Sequence, residues 1–128
     1  MATTLEWGEH EVPVGSVEEL DRLLDRLTDQ ARAGEPFIVT LGRDDESSLS
    51  IGLGRPRSVA SYISPGLGPP HLLSRGDGAH DGPLEFVFSG EITEYPPGSA
   101  VPADAARRAL RVYFETGALS PELEWEEI

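Results

Sequence analysis

The side chains able to do acid–base or metal chemistry are three histidines and 23 acids, with no cysteine. No thiolate nucleophile, disulfide or cysteine-ligated zinc can therefore exist. His10, His71 and His80 form neither H-E-x-x-H nor any other i,i+4 metal pair. His71 and His80 share a Gly/Pro-rich stretch with Asp77 and Asp81, where a metal would find poorly preorganised ligands. No serine stands in a Gly-x-Ser-x-Gly elbow. Gly52-Leu53-Gly54 lacks the third glycine and the following helix of a dinucleotide fingerprint, and there is no Walker loop. Carboxylates are abundant, but abundance in an acidic chain is not a constellation. The expectation is a protein without catalytic residues, cofactor or metal.

What remains is binding, and charge bounds it. The net charge is −13 and all ten basic residues are arginine. Nucleic acid and anionic membranes are excluded as partners, because their affinity comes largely from neutralising phosphates with cations. A basic partner would be steered in. The candidate contacts are the acids concentrated at Asp44, Asp45 and Glu46, at Glu91 and Glu94, and at Glu122, Glu124 and Glu126. The first group reads as a hairpin tip, the second as a strand end and the third as a terminal strand. Turns and strand ends often gather at one rim of a sheet, so these groups could form one negative surface. Three unrelated solvated clusters are the alternative. A fourth stripe, Glu18, Asp21, Asp25 and Asp29, runs down one helix face, with Arg22 and Arg26 interleaved as local partners.

The elements that must position these residues are legible from periodicity. Residues 3–14 read as a strand or hairpin, with Trp7, Val12 and Val14 inward. Ser16 and Glu19 match a capping box, and Val17, Leu20, Leu23, Leu24, Leu27 and Ala31 make one apolar face. That spacing predicts a helix over 17–33, stopped by Gly34 and Pro36. The run 36–41 predicts a central strand, 42–47 a turn and 48–53 the returning strand. Another strand is expected over 58–63. Residues 64–83, dense in Gly and Pro, predict a long mobile loop. Strands follow at 84–88 and 91–95. Pro102 suits the first turn of a helix whose apolar face is Ala106, Ala109, Leu110, Tyr113 and Phe114, with Gly117 as its stop. Asp104–Arg108 and Arg111–Glu115 are i,i+4 pairs on its outer side. Leu123 and Trp125 alternate with acids as a last strand, and Trp125 is expected as a core plug. The whole reads as a single α+β domain over 1–128, with a mainly antiparallel sheet of about five to seven strands covered on one face by two helices. Neither a membrane-length apolar run nor a signal peptide is visible, so the expected compartment is the cytoplasm.

The order of parts from Tyr95–Pro96, through Val101–Pro102 and the alanine-rich helix Ala105–Phe114 with Gly117, to Trp125, resembles immunity protein family 1 of bacterial polymorphic toxin systems. The resemblance extends upstream to the Gly-x-Gly strand end at Gly52 and Gly54. It implies an α+β fold and an antidote that binds a cognate toxin, often of the deaminase superfamily. Charge supplies a physical logic for such a role: an acidic protein can cover the positive surface that a nucleic-acid-directed toxin needs. Two other classes stay open. An acidic secretion chaperone or adaptor would bind an extended segment instead of a folded domain. A small hydrolase using the loop histidines would reveal itself by a metal or ligand raising the melting temperature. Strand order, toxin identity and oligomeric state are not readable from the sequence.

Overall fold

The computed structural model describes residues 3–67, 69–76 and 82–128. β1 (Thr3–Trp7) and β2 (His10–Pro13) form a hairpin that leads into α1 (Val17–Ala33). β3 (Phe37–Arg43) and β4 (Ser48–Leu53) are the central hairpin. β5 (Arg57–Ser58), β6 (Ala60–Ile63), β7 (His71–Arg75), β8 (Leu84–Phe88), β9 (Glu91–Tyr95) and β10 (Val101–Pro102) precede α2 (Ala103–Thr116), and β11 (Glu124–Glu127) follows it.

The fold is α+β. Among the described residues nine strands make one sheet in the order β11-β7-β6-β4-β3-β1-β2, with the β8–β9 hairpin attached to β3. Every pairing in it is antiparallel except a single parallel bridge, Phe37 to Val87, where β8 meets the start of β3. β5 and β10 pair as a separate two-stranded ribbon. The count exceeds the expected five to seven, partly because residues 3–14 fold as two strands and partly because of β7.

β7 overturns the expected loop over 64–83. His71–Arg75 pairs with β6 on one side and β11 on the other. Ser74 is buried, and its hydroxyl accepts from Ala60 N at 3.0 Å while donating to Ser99 O at 2.8 Å. Those two bonds let a polar residue sit inside the sheet without an orphaned group. The Gly/Pro residues on either side hid a five-residue strand that has only Leu72 and Leu73 to announce it. Asp77, His80 and Asp81 lie outside the described residues.

Side-chain alternation assigns the two faces of the sheet. Leu5, Leu41, Leu49 and Ile51 share one face and pack with Leu20, Leu24 and Leu27 of α1 and Ala106, Ala109, Leu110 and Tyr113 of α2. Each fully buried leucine in that core contributes roughly 1.5–3 kcal/mol. Both helices therefore lie on one face, as expected. α1 begins as its sequence demands: Ser16 Oγ accepts from Glu19 N at 3.2 Å. The Glu19 carboxylate accepts in turn from Gly15 N at 3.0 Å, one residue before the cap. α2 starts one residue later than its proline suggested, with Pro102 in the cap position, and Gly117 ends it at φ 74. Trp125 is half-buried against the helical core, its indole N–H donating to Ser120 O at 3.4 Å.

A smaller core forms on the other face. Ile38, Val59, Leu84, Phe86 and Ala100 pack there with Tyr95. β8 thus crosses the start of the sheet on the side away from the helices, and Phe86 lies over Gly52. Beyond that hairpin no described element packs on the non-helical face.

Candidate partner-binding site

The acids singled out from the sequence occupy three separate places. Asp44, Asp45 and Glu46 form the turn between β3 and β4. Glu91 and Glu94 lie on β9, whose partner β8 bridges β3 at Phe37, the opposite end of that strand. Five residues of extended chain separate Phe37 from Gly42, roughly 17 Å at about 3.3 Å per residue. The structure does not bring these two groups onto one rim. Glu124 and Glu126 lie on β11, an outer strand that among the described residues pairs with β7 alone, whereas Glu122, expected on the same strand, sits in the turn before it. The C-terminal end of β11 comes back toward the β3–β4 turn: Ile128 N donates to His71 O, and His71 stands opposite Ile63, which stands opposite Ser48.

Their environments differ as much as their places. Asp45 is a structural acid. Its Oδ1 accepts from Ser47 N at 2.8 Å and from Ser47 Oγ at 2.6 Å. Those two bonds hold its carboxyl below the usual aspartate range. The Ser47 hydroxyl has one proton and gives it to a carboxylate that has none to return. The Ser47–Tyr113 hydroxyl contact must therefore run from Tyr113 to Ser47. A relay of donors thus ties the acidic turn to the buried Tyr113 of α2. Arg43, one residue before the turn, donates to Tyr113 O and Phe114 O at 3.3 Å each, placing a cation at the C-terminal end of α2 where the helix dipole favours it.

Glu122 is engaged inside the protein. Its carboxylate takes a two-pronged contact from Arg108, with Nε at 2.9 Å and Nη2 at 2.5 Å. That pairing lowers the glutamate and raises the arginine from their ordinary values. Arg108 was expected to pair within its own helix with Asp104; the fork geometry of Glu122 wins. Glu124 stands opposite Arg75 in the β7–β11 register. The helix stripe is drawn inward as well: Arg107 reaches Asp25 at 2.8 Å and Asp21 at 3.7 Å, and Arg111 reaches Asp21 at 3.4 Å. These inter-helix bridges bind α1 to α2, which local i,i+4 reasoning could not foresee. The expected Arg111–Glu115 pair is present at 3.7 Å.

Sequence reasoning passed over Glu6 and Glu11. They stand directly opposite each other across β1 and β2, on the uncovered face. Partial burial, then a hydrogen bond and repulsion from Glu11, push the Glu6 carboxyl up. Their spacing across a tight hairpin was the available signal, once residues 3–14 were resolved into two strands.

The Asp45 relay has a pH consequence. A carboxyl held low in the folded state adds stability above its unfolded pKa, and that increment is lost as pH falls through the folded value. Unfolding free energy should therefore drop more steeply below about pH 4 in the wild type than in Asp45→Asn. Because the carboxylate is exposed, the difference should stay within about 1 kcal/mol. Urea melts at pH 3, 4 and 6 check it, and parallel acid profiles would remove Asp45 from the relay.

Among the described residues no group of three or more His, Asp or Glu is placed to hold a metal ion. No helix among them is long and apolar enough to cross a membrane. No curated protein matches the chain. The family model for Immunity protein Imm1 matches residues 8–127, nearly the whole length and every structural element from β2 to β11. The chain therefore belongs to the Immunity protein Imm1 family.

Proposed function

We propose that the protein binds a cognate toxin domain and neutralises it by covering a basic substrate-binding surface, and that this toxin is a nucleic-acid deaminase. The observation that carries the reading is a net charge of −13 on a member of an immunity family. A toxin acting on DNA or RNA gathers polyanion through a positive surface, and an acidic protein seated there excludes it. Nothing in this role needs catalysis or a cofactor. The protein would act in the cytoplasm, where a nucleic-acid-directed toxin finds its target.

The acids Asp44, Asp45, Glu46, Glu91, Glu94, Glu122, Glu124 and Glu126 serve this role as a field spread over separate places. A field does not require one contiguous patch: it biases the diffusional encounter over about a Debye length, roughly 8 Å at physiological salt. Asp44, Glu46, Glu91 and Glu94 are the exposed members best placed to act, since Asp45 and Glu122 are committed to internal partners.

The test is kinetic. Charge reversal at Asp44 and Glu46 together with Glu91 and Glu94 should slow association with the toxin domain about tenfold at low salt, with a smaller change in dissociation. The difference should vanish near 1 M salt, where the field reaches only about 3 Å. An unchanged association rate at low salt would remove these acids from the encounter. Failure of the wild type to protect cells expressing the toxin would overturn the immunity reading for that pair.

A further inference from the structure

The half of the non-helical sheet face that no described element covers has an order that the turn acids lack. Register across seven strands places Glu11, Glu6, Thr40, Ser50, Ser61 and, past Leu73, Glu126 in one row. At about 4.8 Å per strand the row spans roughly 30 Å. That is close to the diameter of the ~800 Å² patch that each partner gives to a standard interface. Its centre is a recessed floor of small hydroxyl side chains, Ser50 9 % exposed between the half-buried Thr40 and Ser61, with Thr40 Oγ1 and Ser50 Oγ paired at 2.8 Å. The row carries carboxylates at both ends and no cation.

An antiparallel sheet can face water on one side, so an uncovered polar face is ordinary by itself. Two features set this one apart. Glu6 and Glu11 are like charges placed directly opposite, an arrangement that disfavours the free protein and that a cation relieves. Phe88, 41 % exposed, belongs to the same face of β8 as the buried Phe86 and lies one alternation further along. β8 bridges β3 at Phe37 and β1 pairs with the same edge from Thr40 onward, so Val87 and Glu6 stand three residues of β3 apart, roughly 10 Å, and Phe88 follows Val87 where the covered half ends. An exposed aromatic beside a negative row on a flat floor matches the arrangement of an apolar anchor with a charged rim.

We infer that this half-face is the surface on which the toxin docks, taking an arginine- or lysine-bearing patch against Glu6 and Glu11 and an apolar contact on Phe88. The inference rests on the immunity reading above and adds the contact surface to it. It separates two jobs: the turn and hairpin acids govern encounter, while this face holds the complex together.

The probe is the cognate toxin domain, titrated against the full chain. Phe88→Ala should raise the dissociation rate about tenfold or more, and Glu6→Arg with Glu11→Arg should weaken binding at least as much. Asp29→Arg on the helical side reverses one charge, half the change of that pair, and should leave affinity within about twofold. Melting curves confirm that each variant is folded; if Glu6→Arg with Glu11→Arg is not, Glu6→Gln with Glu11→Gln replaces it. Tight binding by the wild type with unchanged affinity in the Phe88 and Glu6/Glu11 variants overturns this surface and leaves the immunity reading standing. A folded wild type that binds no toxin domain overturns both. Sedimentation of the protein alone adds a third arm: a dimer that Phe88→Ala dissociates, with toxin affinity unchanged, would assign the face to a second copy of this chain and overturn the inference.

Discussion

Replacing Gly52 by alanine should destabilise the protein by about 3 kcal/mol and lower its melting temperature by roughly 10 °C. A Cβ at that position would stand 2.4 Å from Phe86 Cε1 and 2.5 Å from its Cζ. Neither side can yield cheaply. Gly52 is inside β4, paired with Ile38, and its N–H and C=O both bond the Ser58 hydroxyl. Phe86 is 1 % exposed and anchors the smaller core that fixes the β8–β9 hairpin. The alanine must push Phe86 out and forfeit much of its burial. A double-mutant cycle isolates the cause: in a Phe86→Leu background the same glycine change should cost less than about 1 kcal/mol, because the clash is gone. Equal costs in both backgrounds would mean that strand conformation, not the ring, demands the glycine.

Gly54 answers the opposite face. Its φ is +101, and a Cβ there would come within 2.8 Å of Ala31 Cβ on α1. The Gly-x-Gly pair thus does two unrelated jobs two residues apart. Leu53 between them points into the helical core at 6 % exposure. Gly52 admits an aromatic ring on one side of the sheet, and Gly54 turns the chain beneath a helix on the other. No phosphate or nucleotide needs to be invoked for glycines that side-chain packing already requires.

This pair shows why some of the fold was legible in the sequence. Wherever one element decides its own shape, periodicity was sufficient. α1 spans 17–33 as its apolar spacing and capping residues dictated, and α2 differs from its reading mainly at the proline. Legibility failed where a partner distant in sequence decides. His71–Arg75 is a strand because β6 and β11 flank it and because Ser74 finds Ala60 N and Ser99 O. Arg108 chose Glu122, fourteen residues on, over Asp104 in its own helix. The acidic groups were visible as composition, but their separation along β3 follows from strand order, which local pattern does not encode. Glu6 and Glu11 were hidden for the same reason: opposition across a hairpin exists only once the register is known.

The second large effect is expected at Tyr113. Tyr113→Ala should cost about 3–5 kcal/mol, the range for removing a buried aromatic. With total stabilities of only about 5–15 kcal/mol, the variant should unfold measurably at 37 °C. Tyr113 is fully buried on α2, edge-on to Tyr62 at 6.1 Å between ring centres, with the Arg43 guanidinium 5.7 Å from its own ring centre. It is also the donor that begins the relay through Ser47 to Asp45. Removing the ring would empty a core site, leave the buried Ser47 oxygen without its donor and loosen the contact by which α2 holds the β3–β4 turn. Tyr113→Phe separates these terms. It keeps the ring and removes only the hydroxyl, so it should cost about 1–2 kcal/mol. Since Ser47 can still donate to Asp45 in that variant, its acid profile should keep the steep loss of stability below about pH 4, whereas Asp45→Asn should flatten it. Denaturant melts of the three variants at pH 6 and pH 3 decide the matter. A Tyr113→Phe protein as unstable as Tyr113→Ala would mean that the hydroxyl, not the ring, supports the turn. One as stable as the wild type would mean that the relay carries no weight and that Tyr113 acts by packing alone.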